Sequence, residues 1–336
     1  MLLMFIFVRE NTTDMKKLLC LIAVLAAMPV TIVQGQKSTL RQATYIGGRI
    51  DFRENYDFSW TRKQEMFANY DKASMQGAGI YDGKLYQFYD KGMALLIYNA
   101  KSGKLLEKRP AFRYEGAGET HFGSIAFSNQ RTYKDRAGKT VVTKTPLVYT
   151  TGHMKPKNTV DAVDDAANYE FVDVVDIDND YLVKRLKFRN RYDDVICAWD
   201  FDNNRGWVIG YVKTGYATDT YCITSFTIGD VDGEGYIVER DPVEIPNDGT
   251  LQDCEYLNGH IYFLVGWGTN AKRSTLGKIH DYDTRQKTIN ATLTTDITDE
   301  CEGLALDAKS KRFIVTSRCI YGENKGKGSW WDVIVN

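Results

Sequence analysis

Polar residues of the kind that bind ions or move protons stand at the start of several strand-like segments. Carboxylates and an imidazole that meet at one place could hold a divalent cation, or act as acid and base on a bound substrate. The same side chains could instead hydrogen-bond backbone groups and water inside a channel, where polar groups need partners. The candidates for a ligand site are Gln76, His121, Asp193 or Asp194, Gln252, Asp253, Glu300 and Glu302.

A short acidic stretch has the donor spacing of a calcium loop. Asp230, Asp232 and Glu234 supply oxygen donors at its first, third and fifth positions, and Gly235 supplies the glycine that lets such a loop bend. Strand-like sequence flanks the stretch instead of helices, so a turn rich in Asp and Gly is the alternative. We predict these three acidic residues, together with Glu302, as candidate metal ligands, and calcium is the one cofactor that the sequence indicates.

The elements that must position these residues are visible as an internal repeat. The segments 75–86 and 251–262 are near-copies, each reading as a polar start, a strand, a two-residue turn and a second strand. A looser copy begins at Glu300 and continues into Phe313. The first copy turns at Asp82-Gly83, and Asp-Gly between alternating strands is a strong hairpin signal.

Four antiparallel strands in this length of chain match one blade of a β-propeller. The sequence therefore predicts an all-β fold, most simply a five-bladed propeller of four-stranded blades occupying residues 36–336 as a single domain. Six blades stay an alternative, because the long interval between the second and third units could contain another blade. A strand from one terminus commonly completes the blade at the other, and residues 43–46 are the candidate. The unit starts are Gln76, His121, Asp194, Gln252 and Cys301.

Composition and motif searches exclude several functions. The chain has 336 residues and a formal net charge of -1, so it lacks the basic field that collects phosphates, and we expect no nucleic-acid partner. Gly-x-Ser-x-Gly, P-loop and His-Glu-x-x-His motifs are absent from the sequence, which leaves no recognisable catalytic signature.

The N-terminus has the pattern of a secretory signal peptide. Met15-Lys16-Lys17 precedes an apolar run from Leu18 to Met28, so translation is predicted to start at Met15 and the signal to occupy residues 1–35. An N-terminal membrane anchor is the alternative, since the apolar character continues to Val33. After removal of the signal, we expect the mature chain to have no transmembrane segment. We expect it to be secreted, periplasmic or held at the cell surface.

Five cysteines follow the signal, an odd number for an oxidising compartment. Their spacing fits no zinc motif, so buried thiols or a partial disulfide framework both stay open. Cys301 and Cys319 are the pair that a hairpin could bring onto neighbouring strands. The five are Cys197, Cys222, Cys254, Cys301 and Cys319.

Two phrases, 76–83 and 302–306, resemble those of secreted β-propellers of Bacteroidetes bacteria. The chain is also similar to phage receptor-binding and teichoic-acid-biosynthesis-protein-C-like propellers, and the Glu302-Gly303-Leu304-Ala305 phrase resembles gluconolactonase-like and phytase-like propellers. These resemblances imply a propeller fold. The lactonase-like families bind a metal through scattered acidic residues and Asn, of which only Glu302 has a visible counterpart in this chain.

Two hypotheses follow. The first is a monomeric binding module whose central funnel or face takes a glycan, a peptide or a partner protein. The second is a metal-dependent hydrolase or lactonase that uses the carboxylates at the channel mouth.

Overall fold

The computed structural model describes residues 44–45, 50–51, 75–89, 95–109, 123–154, 169–188, 192–212, 220–267, 277–295, 297, 299–318 and 327–334. They belong to one compact unit, Ser38–Asn336. Every regular element in these ranges is a β-strand, and none of these residues belongs to a helix that could span a membrane.

Apart from one separate two-stranded hairpin, the described strands form five antiparallel sheets, which are the blades of a β-propeller. The order of strands in each blade runs from the innermost strand outward. Blade 1 is β3 (Met75–Tyr81), β4 (Lys84–Tyr89), β5 (Leu95–Asn99) and β6 (Leu105–Arg109). Blade 2 is β7 (Ile125–Phe127), β10 (Val148–Met154), β11 (Tyr169–Asp176) and β12 (Tyr181–Lys187). Blade 3 is β13 (Tyr192–Asp200), β14 (Arg205–Val212), β15 (Thr220–Phe226) and β16 (Arg240–Pro246). Blade 4 is β17 (Leu251–Leu257), β18 (His260–Val265), β19 (Lys278–Asp283) and β20 (Thr288–Thr294). Blade 5 is β21 (Glu300–Asp307), β22 (Arg312–Arg318) and β23 (Lys327–Ile334).

The N-terminal part of the chain completes blade 5. β1 (Thr44–Tyr45) pairs with Asp332 and Trp331 of β23, and β2 (Ile50–Asp51) pairs with the other end of the same strand. The closing strand predicted at 43–46 is therefore confirmed, and it covers an edge that would otherwise expose unpaired backbone groups.

Five blades are confirmed over six. The long second interval contains a small separate hairpin, β8 (Thr132–Lys134) and β9 (Thr140–Val142), inserted between the first two strands of blade 2. Residues 155–168, which fall in the same interval, lie outside the described residues.

The core consists of five apolar clusters, one between each pair of neighbouring blades. Strand alternation explains this arrangement, because successive side chains point to opposite faces of a sheet. In β13, Cys197 and Trp199 pack toward blade 2, while Ile196 and Ala198 pack toward blade 4. Each blade thus buries both faces, and the cluster containing Met75 and Trp330 joins blade 5 to blade 1 and closes the ring.

The predicted hairpin turns are confirmed in both copies of the repeat. Asp82 and Gly83 have φ values of 49° and 70°, and Asn258 and Gly259 have values of 52° and 87°. Positive φ at both central residues matches the right-handed twist of the flanking strands. Glycine and short polar residues adopt this conformation at low cost, which is why the turns were readable in the sequence.

Of the two alternatives for the cysteines, buried thiols are confirmed for the four that the structure describes. Cys197, Cys222, Cys254 and Cys301 are all buried and form no disulfide. The suggested Cys301–Cys319 disulfide is therefore wrong at Cys301, and Cys319 lies outside the described residues. The Cys301 sulfur packs close to Gly277, which precedes β19 in blade 4, so it points toward the neighbouring blade instead of along its own sheet.

Candidate functional site

Four of the five inner strands carry a β-bulge near their first residues. The extra residue in the bulge is Gln76, followed by Gly77, in β3; it is Asp194 in β13, Gln252 in β17 and Glu302 in β21. A bulge turns one side chain out of the regular alternation and often lies beside a functional site. The repeat therefore presents one polar residue from each of four blades at the same end of the propeller axis.

These four residues line one cavity of about 270 Å³ at that end of the axis. The sequence predicted that all four meet there, together with Glu300, which also lines the cavity. Their role in ligand binding stays a prediction. Asp253 does not line the cavity, and His121 lies outside the described residues. Further residues in the wall include Thr151, Glu170, Thr250, Trp267, Glu300 and Arg318.

Arg318 is the cation of the cavity and was missed by sequence reasoning. It forms ion pairs with two carboxylates of the neighbouring strand, Arg318 Nη2–Glu300 Oε2 at 2.6 Å and Arg318 Nε–Glu302 Oε1 at 2.6 Å. Cross-strand pairing places Arg318 directly opposite Glu300, and such opposite-charge pairs stabilise a sheet. The register of β21 and β22 would have been needed to find this pairing.

Glu170, Thr250 and Trp267 are among the residues that line the cavity from outside the bulges. Glu170, near the start of β11 and further out in blade 2, is buried. Trp267 follows β18, and its indole N–H donates to the hydroxyl of Thr250, just before β17. Their positions depend on how outer strands and loops return to the axis, so they gave no repeat signal in the sequence.

Asp253 lies beneath the cavity and binds the blades to one another. Its carboxylate accepts hydrogen bonds from the backbone N–H groups of Ala78 in blade 1, at 3.1 Å, and Leu304 in blade 5, at 2.9 Å. It also accepts one from Cys254 at 2.8 Å. Burial raises the pKa of the Asp253 carboxyl, and the backbone donors oppose that rise. The geometry gives this residue a structural role at the centre of the ring.

The predicted calcium loop is folded as a turn. Asp232 Oδ1 accepts the backbone N–H groups of Glu234 at 2.9 Å and Tyr236 at 3.0 Å, and Asp230 pairs with Arg240. Within the described ranges no group of three or more His, Cys, Asp or Glu side chains is placed to hold a metal ion. Metal binding by Asp230, Asp232, Glu234 or Glu302 stays a prediction.

The fold and the site together define a five-bladed β-propeller with a cavity on its axis into which several polar side chains project. The sequence matches no protein-family model and no curated protein.

Solved structures similar to this chain are also β-propellers. The aldose sugar dehydrogenase of Streptomyces coelicolor is 12% identical, with 79% of this chain and 95% of that chain covered and a TM-score of 0.41. A putative glucose dehydrogenase of Thermus thermophilus is 9% identical, with 78% and 97% covered and a TM-score of 0.42. BamB of Moraxella catarrhalis is 11% identical, with 77% and 58% covered and a TM-score of 0.30. The particular resemblance to Bacteroidetes and phage receptor-binding propellers finds no support among them.

Proposed function

We propose that the protein is a binding module that takes part of a glycan, a peptide or a partner protein into its axial cavity. The observation that carries this proposal is the convergence of four bulged polar residues, one from each of four blades, on a single cavity. Regular strands would bury these side chains between sheets or leave them scattered, whereas the bulges aim them at one point.

The size of the cavity limits what can enter it. At about 270 Å³ it lies just below the usual range for drug-sized ligands, which is about 300–1,000 Å³. We therefore expect a single sugar ring or a single side chain to occupy it, while the rest of the ligand contacts the surrounding face. Acceptors from Glu170 and Asp194, together with the carboxamides of Gln76 and Gln252, would fix the orientation of such a group.

Asp194→Asn tests this proposal with little risk to the fold. Asp194 is exposed and has a φ of 50°, a backbone conformation that Asn also tolerates. Asp241→Asn is a matched control, because Asp241 is also exposed, has the same φ of 50° and does not line the cavity. The full chain and both variants would be applied to one array of glycans and one array of peptides.

We expect the wild-type protein to select a small set of related probes, and Asp194→Asn to weaken that binding at least tenfold while Asp241→Asn leaves it unchanged. Calorimetry with the best probe gives the dissociation constants. An array without selective binding, or selective binding that both variants retain equally, would contradict the axial site.

A metal-dependent hydrolase or lactonase is the second candidate, favoured by the carboxylates at the cavity. Arg318 opposes it, since its guanidinium already neutralises part of the charge of Glu300 and Glu302. We expect the melting temperature of the wild-type protein to be the same in calcium and in chelator. A rise in calcium that Glu302→Gln abolishes would support the metal site instead.

The signal-like N-terminus supports placement of this binding module outside the cytoplasm, as a secreted, periplasmic or surface protein. N-terminal sequencing of the protein recovered from the exported fraction of expressing cells tests this. A chain recovered only from the cytoplasm, with residues 15–35 intact, would contradict it.

A further inference from the structure

A second and larger cleft lies between blades 1 and 2, at the opposite end of β3 from the axial cavity. It has a volume of about 620 Å³, more than twice that of the axial cavity. The turn that joins β3 to β4 and the turn that joins β11 to β12 form two of its sides. Its lining includes Tyr81, Lys84, Glu107, Arg109, Lys144 and Asp178.

The inserted β8–β9 hairpin provides the third side of this cleft. The segment that leaves β9 is fixed by Asp178, whose carboxylate accepts Lys144 N at 2.9 Å, Thr145 N at 2.8 Å and Thr145 Oγ1 at 2.8 Å. Arg131, just before β8, donates to the Tyr81 hydroxyl of blade 1 and to the Lys144 carbonyl. The insertion is therefore held across the junction between the two blades.

The β8–β9 hairpin departs from the repeat and is fixed by several hydrogen bonds. In repeat proteins such insertions often form the binding face. The hairpin adds no strand to a blade. It leaves Val142 71% exposed at the edge of the cleft. An insertion that served only to cover the core would be expected to bury such an apolar side chain.

The cleft presents exposed cations beside two exposed carboxylates, those of Asp82 and Glu107. Lys84 and Lys144 are exposed, and Arg109 Nε is buried without a hydrogen-bond partner among the described residues. The nearest carboxylate to that nitrogen is Glu107 Oε1 at 3.6 Å, which is too long for a hydrogen bond. Asp178, by contrast, is already occupied by its three donors. The cleft thus holds the partly exposed guanidinium of Arg109, with 30% of its side chain accessible, beside two exposed ammonium groups.

We propose that this cleft binds an acidic oligosaccharide, a chain of sugar rings that carry carboxylates. Arg109 is suited to a carboxylate because its planar donors match the two carboxylate oxygens, and Lys84 and Lys144 would attract further acidic groups. Asp82, which also lines the cleft, and Glu107 remain as acceptors for hydroxyl groups. An acidic peptide lacks hydroxyls along its backbone, whereas a sugar ring presents them at several positions. The open shape and volume suit several consecutive rings, in contrast to the single group that fits the axial cavity.

The proposal is tested by calorimetric titration of the full chain with a tetrasaccharide of galacturonic acid. The methyl ester of the same tetrasaccharide keeps the rings and hydroxyls but removes the charge, and a tetra-glutamate peptide keeps the charge without the rings. The variant pair is Lys84→Gln with Lys144→Gln, and the matched control is Lys134→Gln with Lys139→Gln. The control pair removes the same charge from exposed positions of the inserted hairpin that do not line the cleft.

We expect the acidic tetrasaccharide to bind, and its ester and the peptide each to bind at least tenfold more weakly. The Lys84/Lys144 pair and Arg109→Gln should each weaken binding at least fivefold and reduce its salt dependence, whereas the control pair and the axial variant Asp194→Asn should not.

Absence of binding by the acidic tetrasaccharide, or equal binding of its ester, would overturn the proposal. Equal binding of the peptide would show a general polyanion site and overturn it as well, and so would equal losses in both lysine pairs. Because Asp194→Asn belongs to the axial cavity, failure of this titration leaves the axial proposal untouched.

Discussion

Asp253 is the residue that links three blades of the inner ring, because its buried carboxylate accepts backbone N–H groups from blades 1, 4 and 5. Bonds of this kind run between blades, where the hydrogen-bond ladders of the individual sheets do not reach. One carboxylate with two oxygens satisfies several such donors at once. Asp253 therefore holds the inner strands of neighbouring blades together, as the hydrogen-bond ladders hold together the strands within each blade.

Asp253→Ala should strongly destabilise the protein. Loss of the carboxylate leaves the N–H groups of Ala78 and Leu304 buried and unpaired, and each such group costs about 1–3 kcal/mol. We expect the free energy of unfolding in urea to fall by about 3–5 kcal/mol. Asp253→Asn keeps one acceptor oxygen and should lose less.

Glu244→Ala, on the exposed strand β16, is the control and should change the free energy by less than about 0.5 kcal/mol. A loss below about 1 kcal/mol for Asp253→Ala would show that water replaces the carboxylate, against a structural role for this residue.

His280 gives the protein a predictable pH dependence. Burial lowers the pKa of His280, and the positive charge of Lys278 lowers it further. The carboxylate of Asp248, whose Oδ1 lies 3.0 Å from His280 Nε2, opposes this shift. The unfolded chain takes up this proton near pH 6.5, and the folded state only at lower pH. Stability should therefore fall as the pH drops from about 7 through the folded pKa.

The measurement is the free energy of unfolding at pH 7.5 and at pH 5.5, for the wild-type protein and for His280→Gln. We expect a smaller difference between the two pH values in the variant, because the other groups that titrate are the same in both proteins. An equal difference would mean that His280 takes up its proton at the same pH in the folded and unfolded states.

At the scale of the strands, the close approach of β21 to β3 explains a glycine in the Glu302-Gly303 phrase. A Cβ on Gly303 would lie 2.8 Å from the Ala78 Cβ, 3.0 Å from the Ala78 N and 2.5 Å from Thr316 Oγ1. Those distances are below normal contact, so any side chain would push the inner strands of blades 5 and 1 apart. The same approach brings Leu304 N and Ala78 N to the carboxylate of Asp253.

Gly303→Ala should destabilise the protein by about 1–3 kcal/mol, the usual cost of overpacking. Gly233→Ala is the control, because a Cβ there meets nothing within 4 Å and its φ is not in the left-handed region. That variant should be neutral or slightly stabilising, since Ala restricts the unfolded chain more than Gly does. Equal stability of the two variants in thermal and urea unfolding would contradict the close approach of the inner strands.

At the scale of the whole molecule, the five blades bury the four described cysteines completely. Burial raises the pKa of Cys197 to about 12 and raises those of Cys254 and Cys301 as well. A thiol with a raised pKa has little thiolate at neutral pH, and the thiolate is the reactive form. The cysteines are therefore part of the packing and have no reactive role in the folded ring.

Titration with a chromogenic thiol reagent tests this in a chain that starts at residue 36 and carries Cys319→Ser. No rapidly reacting thiol is expected in the folded protein, and the four thiols of Cys197, Cys222, Cys254 and Cys301 should react once guanidinium unfolds it. Fewer than four thiols after unfolding without a reductant would reveal a disulfide, and rapid reaction before unfolding would show that the blades open.

Much of the fold was predictable because its signals are local or periodic. Strand alternation and the Asp82-Gly83 turn identified blades, the repeat identified which polar residues begin the inner strands, and residues 43–46 stood out as the closing strand. The spacing of these starts favoured five blades and left six open, and the strand pairing of the structure decided for five. Alternation and turn residues are carried by a few neighbouring residues, and the repeat is found by comparing such short segments with one another.

The remaining features depend on register between strands that are far apart in the chain. The bulges that aim Asp194 and Glu302 at the axis, and the pairing of Arg318 with Glu300, follow from strand pairing that alternation does not specify. Asp253 meets the backbone of Ala78 across 175 positions of sequence. The sequence therefore showed which polar residues begin the inner strands. It did not show which of them line the cavity and which, like Asp253, are buried and link blades. The tertiary structure decided that, because closure of the ring brings the inner strands of different blades within hydrogen-bond distance of one another.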